Sequence, residues 1–169
     1  DKHATWMEKI LQLHAIMDLN HGVMVLGAAA LGKTSLISVL QQAHQQLGAN
    51  TFSLNKMNPK SLTVQQMFGW QSISQGQWHD GTFSFLFRRA GNQPIMTTWI
   101  VLDGPIDPVW AENLNTVLED QKLLTLANGD RIGMKSCSRI IFESDKADNA
   151  SPATMTRVGV VWVPSTALP

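Results

Sequence analysis

One short segment has the residue types and the spacing that bind nucleotide phosphate. In it, two glycines separated by four residues are followed directly by a lysine and a hydroxyl residue. The segment is Gly27-Ala28-Ala29-Ala30-Leu31-Gly32-Lys33-Thr34, and Ser35 follows it. Glycines let the backbone curl so that amide N–H groups point at phosphate oxygens, and the start of a helix adds positive potential. The pattern therefore predicts a phosphate-binding loop over residues 27–35.

The last two residues of the pattern, Lys33 and Thr34, predict which parts of a nucleotide the loop would bind. The ammonium of Lys33 would contact the β- and γ-phosphates, and the hydroxyl of Thr34 would ligate magnesium. Asp103 follows the apolar segment Trp99–Leu102 and is the second predicted magnesium ligand. The expected ligands are ATP or ADP with Mg²⁺. Two plainer interpretations stay open: a tight turn with a solvated Lys33, and an Asp103 that only caps a turn.

The residue after Asp103 bears on catalysis. In hydrolytic P-loop proteins this position commonly holds a glutamate that orients and deprotonates the attacking water. Here it is Gly104, which has no side chain to do so. Three acids follow, Asp107, Glu112 and Glu119, but we expect none of them to reach a γ-phosphate. The sequence therefore predicts nucleotide binding with slow or absent turnover.

Strands and helices alternate along the chain around this loop. Strands are predicted at Gly22–Leu26, Thr51–Leu54, Trp99–Leu102, Arg139–Phe142 and Val158–Val163, and the first and third of these are expected to be buried. Helices are predicted at His3–Leu19, Thr34–Leu47, Thr82–Ala90 and Pro108–Leu118. The apolar face of the first helix is expected to comprise Met7, Ile10, Leu11, His14 and Met17. This alternation predicts an α/β fold, a parallel sheet with helices on both faces.

Two further segments do not fit the alternation. Asn128-Gly129, between residues 123–126 and 131–134, is the strongest short signal for a turn between antiparallel strands. We therefore expect a small β-hairpin inserted into the α/β scaffold. The polar stretch Gly69–Gly81 carries no strand or helix prediction.

Composition limits the classes of partner. The 169 residues are 44% hydrophobic and 15% charged, which fits one globular domain. Thirteen basic residues balance thirteen acidic ones, so neither nucleic acid nor a membrane surface is an expected partner. The single cysteine, Cys137, excludes an internal disulfide. No apolar run approaches the roughly 20 residues that cross a bilayer. Because the chain begins with Asp1, we expect it to be a fragment of a larger protein.

Several longer runs resemble one family. Asp103–Asp120 is similar to the second AAA+ module of dynein heavy chains, including its Asp-Gly pair. The same resemblance is carried by Met57–Lys60, Trp78–Gly81 and Ser151–Arg157. It extends from about residue 9 to the end of the chain. Thr125–Ile132, followed by Asn149–Pro152, is closer to axonemal outer-arm chains than to cytoplasmic ones.

The resemblance implies the large α/β subdomain of one AAA+ module, covering residues 1–169 without the helical lid that normally follows it. Such a module is a wedge in the ring of a motor that moves along microtubules. Its partners would be the neighbouring modules of the same heavy chain and, through the parent protein, microtubules. An axonemal chain implies a location in cilia or flagella.

The resemblance also assigns residues outside the loop. Arg157 matches the family's arginine after the Ser-Pro-Ala-Thr run, which implies an arginine finger that serves the ATP of the preceding module. An ordinary surface ion pair is the alternative. Glu143 or Ser144 would occupy the place of the polar sensor of AAA+ modules.

Three functions stay open at this point. The leading interpretation is a regulatory module that holds ATP without hydrolysing it. The second is an active P-loop NTPase or kinase. The third is a degenerate scaffold that no longer binds nucleotide, because the middle of the loop is filled by residues whose Cβ atoms resist positive φ angles.

Overall fold

A five-stranded parallel sheet organises the fold, and two short hairpins are attached to it. The computed structural model describes residues 2–47, 52–93 and 95–167, and the structural statements below concern these residues. The strands are β1 (Gly22–Leu26), β2 (Phe52–Met57), β3 (Gly69–Gln71), β4 (Trp78–Asp80), β5 (Thr97–Asp103), β6 (Leu123–Thr125), β7 (Arg131–Gly133), β8 (Ser138–Ser144) and β9 (Gly159–Trp162). The sheet has the order β2-β5-β8-β1-β9 with every neighbouring pair parallel. The prediction of a parallel sheet is confirmed.

Helices cover both faces of this sheet, as predicted. They are α1 (Lys2–Leu19), α2 (Lys33–Gln46), α3 (Val64–Phe68), α4 (Thr82–Gly91), α5 (Pro108–Ala111), α6 (Asn115–Leu118) and α7 (Pro152–Met155). Short 3₁₀ turns lie at Pro59–Ser61, Glu112–Leu114 and Ser165–Ala167. One hydrophobic core lies under α1 and α2, and the other lies under α3 to α6.

The central strands supply both cores because their side chains alternate between the two faces. In β5, Trp99 and Val101 join the core under α1 and α2, whereas Ile100 and Leu102 join the opposite core. All five residues of β1 are buried. Strands buried on both faces appear in the sequence as continuous apolar runs, which explains why these strands are predictable.

The edge strand β2 extends further than the sequence indicates. The predicted strand Thr51–Leu54 is observed as Phe52–Met57, with Thr51 outside the described residues. The three added residues, Asn55, Lys56 and Met57, include two polar ones. An edge strand pairs on one side only and tolerates polar side chains, so hydrophobicity alone misses its carboxyl end.

Two other segments differ from expectation, and a third matches it. The predicted helix Pro108–Leu118 is divided into α5, a 3₁₀ turn and α6. The polar stretch 69–81 contains the hairpin β3–β4, in which the rings of Trp70 and His79 stack with centroids 5.3 Å apart. The hairpin β6–β7 is present where Asn128-Gly129 predicts it.

The first helix is confirmed, but its buried face is rotated from the predicted one. Ile10, Leu13 and Met17 are buried, whereas Leu11 is 60% and Met7 52% exposed. Spacings of three and four residues along a helix select one face, and Leu13 rather than Leu11 lies on it. Among the described residues, no helix is long and apolar enough to cross a membrane.

Candidate nucleotide-binding site

The predicted phosphate loop lies at the carboxyl edge of the sheet, between β1 and α2. β1 ends at Leu26, and α2 begins at Lys33. At this edge Leu26 is in register with Ser144 of β8, and Asp103 of β5 is in register with Glu143 of β8. Open α/β sheets bind their ligands at the carboxyl ends of their strands. The topology therefore brings the loop, Asp103 and Glu143 to one place.

The backbone of the loop takes left-handed φ angles at Ala30 and Gly32 and passes close to Val163 at Gly27. A Cβ atom on Gly27 would lie 2.5 Å from the carbonyl oxygen of Val163, so only glycine fits there. Gly32 has a φ of 77° and precedes the first turn of α2. Ala30 has a φ of 62° although it carries a Cβ; this conformation costs about 1–2 kcal/mol. The alanine-rich loop thus adopts a curled conformation at a local energetic cost.

Lys33 folds back over the loop. Its ammonium donates hydrogen bonds to the carbonyl oxygens of Gly27, at 2.6 Å, and Ala28, at 2.9 Å. It also pairs with the carboxylate of Asp145, with Nζ 2.9 Å from Oδ1. The lysine side chain is only 8% exposed, whereas that of Asp145 is 64% exposed. Nucleotide phosphates would therefore compete with the exposed carboxylate of Asp145 for the ammonium of Lys33.

The two predicted magnesium ligands are brought to one lysine, which the sequence did not single out. Nζ of Lys56 lies 3.0 Å from Oδ2 of Asp103, 3.1 Å from Oε2 of Glu143 and 3.5 Å from Oγ1 of Thr34. The hydroxyl of Thr34 donates a short hydrogen bond to the other oxygen of Glu143. Four side chains from β2, β5, β8 and α2 thus form one polar cluster.

Charge balance explains the position of Lys56. The side chain of Glu143 is only 5% exposed, and a buried carboxylate needs a cation or hydrogen-bond donors. Burial by itself would lower the pKa of Lys56, but hydrogen bonds from its ammonium to Asp103 and Glu143 outweigh this, so its pKa is raised. The ammonium remains charged and neutralises the carboxylates on either side.

The donor set suits a hard divalent cation. Magnesium prefers oxygen ligands, and Thr34, Asp103 and Glu143 supply a hydroxyl and two carboxylates directed at one point. When bound, the metal would screen the negative charge of nucleotide phosphates. The predicted ligands Thr34 and Asp103 fit this role, and Glu143 would add a third oxygen ligand at the same point.

Asn58 occupies the space next to Gly104, the position after β5 at which hydrolytic relatives carry a glutamate. The amide of Gly104 donates to the carbonyl oxygen of Glu143 at 3.0 Å. A Cβ atom on Gly104 would lie 2.8 Å from Oδ1 of Asn58. That oxygen is held in place because it accepts a hydrogen bond from the amide of Lys60 at 2.9 Å. A side chain at position 104 would therefore require Asn58 to move.

A cleft of about 430 Å³ opens beside Lys33 and Gly104. Four carboxylates line it, those of Asp103, Glu143, Asp145 and Asp148. Each is paired with a lysine: Asp103 and Glu143 with Lys56, Asp145 with Lys33, and Asp148 with Lys146 at 3.4 Å. The carboxylates of the cleft are thus all engaged by ammonium groups.

The three acids considered from the sequence lie outside this cleft. Asp107 caps α5, since its carboxylate accepts from the amide of Val109 at 2.9 Å. Glu112 begins the 3₁₀ turn, and Glu119 pairs with Arg157. The expectation that none of them reaches the phosphate site agrees with this placement.

Arg157 lies at the opposite edge of the sheet. It precedes β9, and Gly159 at the start of that strand is in register with Val23 near the start of β1. A strand rises about 3.3 Å per residue, so the length of β1 separates this edge from the loop after Leu26. The guanidinium pairs with Glu119 at 2.8 Å and donates to the carbonyl oxygen of Ala153 at 2.8 Å. Arg157 is not part of its own chain's phosphate site.

The sheet order, the loop after β1 and the polar cluster at the carboxyl edge define an AAA-type nucleotide-binding α/β domain. The family model described as "AAA domain (dynein-related subfamily)" matches residues 22–158. The chain belongs to this family. Membership implies nucleotide binding, generally with Mg²⁺.

Similar proteins include axonemal and cytoplasmic dyneins. The chain is 47% identical over 161 residues to "Dynein gamma chain, flagellar outer arm" of Chlamydomonas reinhardtii, covering 95% of this chain and 4% of that protein. It is 46% identical over 167 residues to "Dynein axonemal heavy chain 5" of Rattus norvegicus, covering 98% and 5%. Identity to "Dynein heavy chain, cytoplasmic" of Dictyostelium discoideum is 40% over 161 residues, covering 93% and 3%. The resemblance to dynein AAA modules is confirmed, and the chain spans a small part of these relatives.

Proposed function

We propose that this chain is a regulatory AAA+ module of a dynein motor, which binds ATP with magnesium and holds it without hydrolysis. In this proposal residues 1–169 are the large subdomain of the second module of an axonemal outer-arm heavy chain. The parent protein works on microtubules in cilia or flagella, and the module's direct partners are its neighbours in the ring. The observation that carries the absence of hydrolysis is the packing of Asn58 against Gly104.

Binding is assigned to the loop and to the start of α2. The amides of residues 27–35 and the ammonium of Lys33 hold the phosphates, with Lys33 exchanging Asp145 for phosphate oxygens. Thr34 and Asp103 hold the magnesium that accompanies the nucleotide. Glu143 is the polar side chain that replaces a typical sensor, because it lies beside Asp103 at the end of β8.

Hydrolysis would need a base that can take a proton from water near the γ-phosphate. Position 104 supplies none, and the neighbouring oxygen of Asn58 leaves no room for one without rearrangement. The carboxylates that line the cleft are each paired with an ammonium, as described above. Tight binding with very slow turnover is the behaviour that these contacts support.

Arg157 is assigned to the preceding module. An arginine finger neutralises charge that develops on the γ-phosphate, and Arg157 lies too far from its own loop to do this there. Its pair with Glu119 is partly exposed, with side chains 29% and 38% exposed. Exposed ion pairs contribute little stability, so the guanidinium can exchange Glu119 for a phosphate of a neighbour.

A scaffold that no longer binds nucleotide is the second candidate. It is favoured by the strained φ of Ala30 and by the engagement of Lys33 with three acceptors of its own chain. The two candidates differ in a simple observable, which is whether the loop binds ATP at all.

Calorimetric titration of ATP with Mg²⁺ into the chain tests the proposal, with phosphate release followed in the same samples. We expect binding by the wild type, loss of binding in Lys33→Ala and no release of phosphate. Lys135→Ala is the matched control, since Lys135 is exposed at the other edge of the sheet, just before β8. Release that depends on Lys33 would support the active NTPase, and no binding by any variant would support the scaffold.

A further inference from the structure

The polar cluster at the carboxyl edge already contains a cation. Oxygen atoms of Thr34, Asp103 and Glu143 lie 3.5, 3.0 and 3.1 Å from Nζ of Lys56. A divalent metal would use the same oxygens, because they belong to the proposed ligand set. The ammonium and the metal cannot both occupy the point at which these oxygens converge.

We propose that Lys56 is a built-in cation that competes with magnesium for Asp103, Glu143 and Thr34. The lysine then lowers the contribution of Mg²⁺ to nucleotide binding, because a divalent ion binds these oxygens only after the lysine has left. This inference rests on the proposed nucleotide site, but the competition between lysine and metal takes place without nucleotide.

The strand register of the sheet places Lys56 of β2 close to Asp103 and Glu143. In the register of the sheet, Lys56 is opposite Val101 and Met57 is opposite Leu102, directly before Asp103. The ammonium therefore reaches past the end of β5 to both acidic strand ends. Lys56 is 34% exposed at its side chain, so it has a path to solvent when a metal displaces it.

The burial of Glu143 favours the lysine over an empty cluster. With its side chain 5% exposed, this carboxylate has the ammonium of Lys56 and the hydroxyl of Thr34 as its side-chain donors. Removing the lysine leaves two neighbouring carboxylates without that cation, and a metal ion is then the natural replacement.

Titration with Mn²⁺ in the absence of nucleotide tests the competition. The electron paramagnetic resonance signal of the free aquo ion gives the concentration of unbound Mn²⁺, and from it the affinity of the site. We expect Lys56→Met to bind Mn²⁺ about tenfold or more tightly than the wild type, as the metal no longer displaces a charged partner. Lys60→Met is the matched control and should behave as the wild type, since Lys60 is exposed and contributes only its backbone amide to Asn58. Equal Mn²⁺ affinity of wild type and Lys56→Met would overturn the inference.

A second pair of variants keeps the test decisive if Lys56→Met does not fold. Glu143→Gln removes the buried charge, and Glu143→Gln with Lys56→Met differs from it only by the lysine. The double variant should bind Mn²⁺ more tightly than the single one, and equal affinity would overturn the inference.

A parallel titration with ATP separates this inference from the proposed function. Replacing EDTA by Mg²⁺ should raise the affinity for ATP in both proteins, and it should raise it more in Lys56→Met than in the wild type. Equal metal dependence in both proteins would contradict the inference. If neither protein binds ATP, the proposed function fails and the Mn²⁺ result alone decides the role of Lys56.

Discussion

Oδ1 of Asn58 lies only 2.8 Å from the position that a Cβ atom on Gly104 would occupy, which is too close for an unstrained contact. Asn58 is fixed there by its bond to the amide of Lys60, at the start of the 3₁₀ turn Pro59–Ser61. Gly104 is itself tied to β8 through its amide. The packing around Gly104 is therefore adapted to a residue without a side chain. For this reason, a single substitution of Gly104 by glutamate is not expected to restore a catalytic base.

Substitution of Gly104 by alanine tests this packing. The added methyl should clash with Asn58 and lower the free energy of unfolding by about 1–3 kcal/mol. In an Asn58→Gly background the same substitution should cost clearly less, because the oxygen it meets has gone. Urea unfolding of the four proteins gives the coupling energy between the two positions.

Gly133→Ala is the control for this cycle. A Cβ atom on Gly133 would meet only Cδ2 of Leu123, at 3.9 Å, which is an ordinary contact. Its effect on unfolding should stay within about 0.5 kcal/mol. Additive effects of the Gly104 and Asn58 substitutions would show that their side chains do not compete for space.

Asp145→Asn should increase the affinity for ATP. The substitution removes the charged partner that holds Lys33 at 2.9 Å and leaves its ammonium bonded to the two loop carbonyls. Because the carboxylate of the pair is 64% exposed, solvent screens it and the pair is worth at most about 1 kcal/mol, so the gain measured by calorimetry should be about twofold to fivefold.

Asp148→Asn separates the release of Lys33 from a general loss of negative charge. Asp148 lines the same cleft but pairs with Lys146 instead. It should therefore give a smaller gain than Asp145→Asn. Equal gains in the two variants would assign the effect to charge alone and not to Lys33.

The sequence predicts which residues of the proposed phosphate site lie together because most of them are local. The loop, its lysine and its hydroxyl are consecutive residues, and Asp103 follows a strand that is apolar throughout. The structure brings all of them to one edge, as the strand–loop–helix pattern requires. Their roles in binding stay predictions until nucleotide binding is measured.

Lys56 could not be found in the same way. A lysine in a partly polar edge strand has the appearance of a solvated side chain, and its partners are 47 and 87 residues away at Asp103 and Glu143. Only the order β2-β5-β8 makes these three strand ends neighbours. The hairpin β3–β4 was missed for a different reason: its strands have three residues each, too few for a pattern, and no Asn-Gly pair marks its turn.

Stability at low pH should depend on Asp80. Hydrogen bonds from Arg88, at 2.7 and 3.1 Å, lower the pKa of this carboxyl below its usual value, and Trp78 adds a third bond at 2.8 Å. A lowered pKa in the folded state gives stability that is complete above the unfolded pKa of about 4 and is lost as the pH falls through the folded value.

Asp80→Asn should therefore lower the free energy of unfolding by about 1–2 kcal/mol near pH 6, and the difference from the wild type should shrink as the pH falls below about 4. Urea unfolding at several pH values measures it. Asp120→Asn, at an exposed position, serves as the control. A difference that does not change with pH would show that Asp80 acts only through packing.

The role of Arg157 can be separated from that of a surface ion pair, because its partner is known. In a heavy chain that includes the preceding module, Arg157→Ala should reduce ATP turnover by about a thousandfold or more if the arginine acts on that module's γ-phosphate. Arg157→Lys should recover little of it, since a lysine lacks the planar fork of donors.

Glu119→Gln breaks the same ion pair, 2.8 Å long, but keeps the arginine. It should leave turnover intact or raise it, because the guanidinium is then released from its carboxylate partner. If Glu119→Gln and Arg157→Ala had equal effects, the ion pair itself would be the function of Arg157.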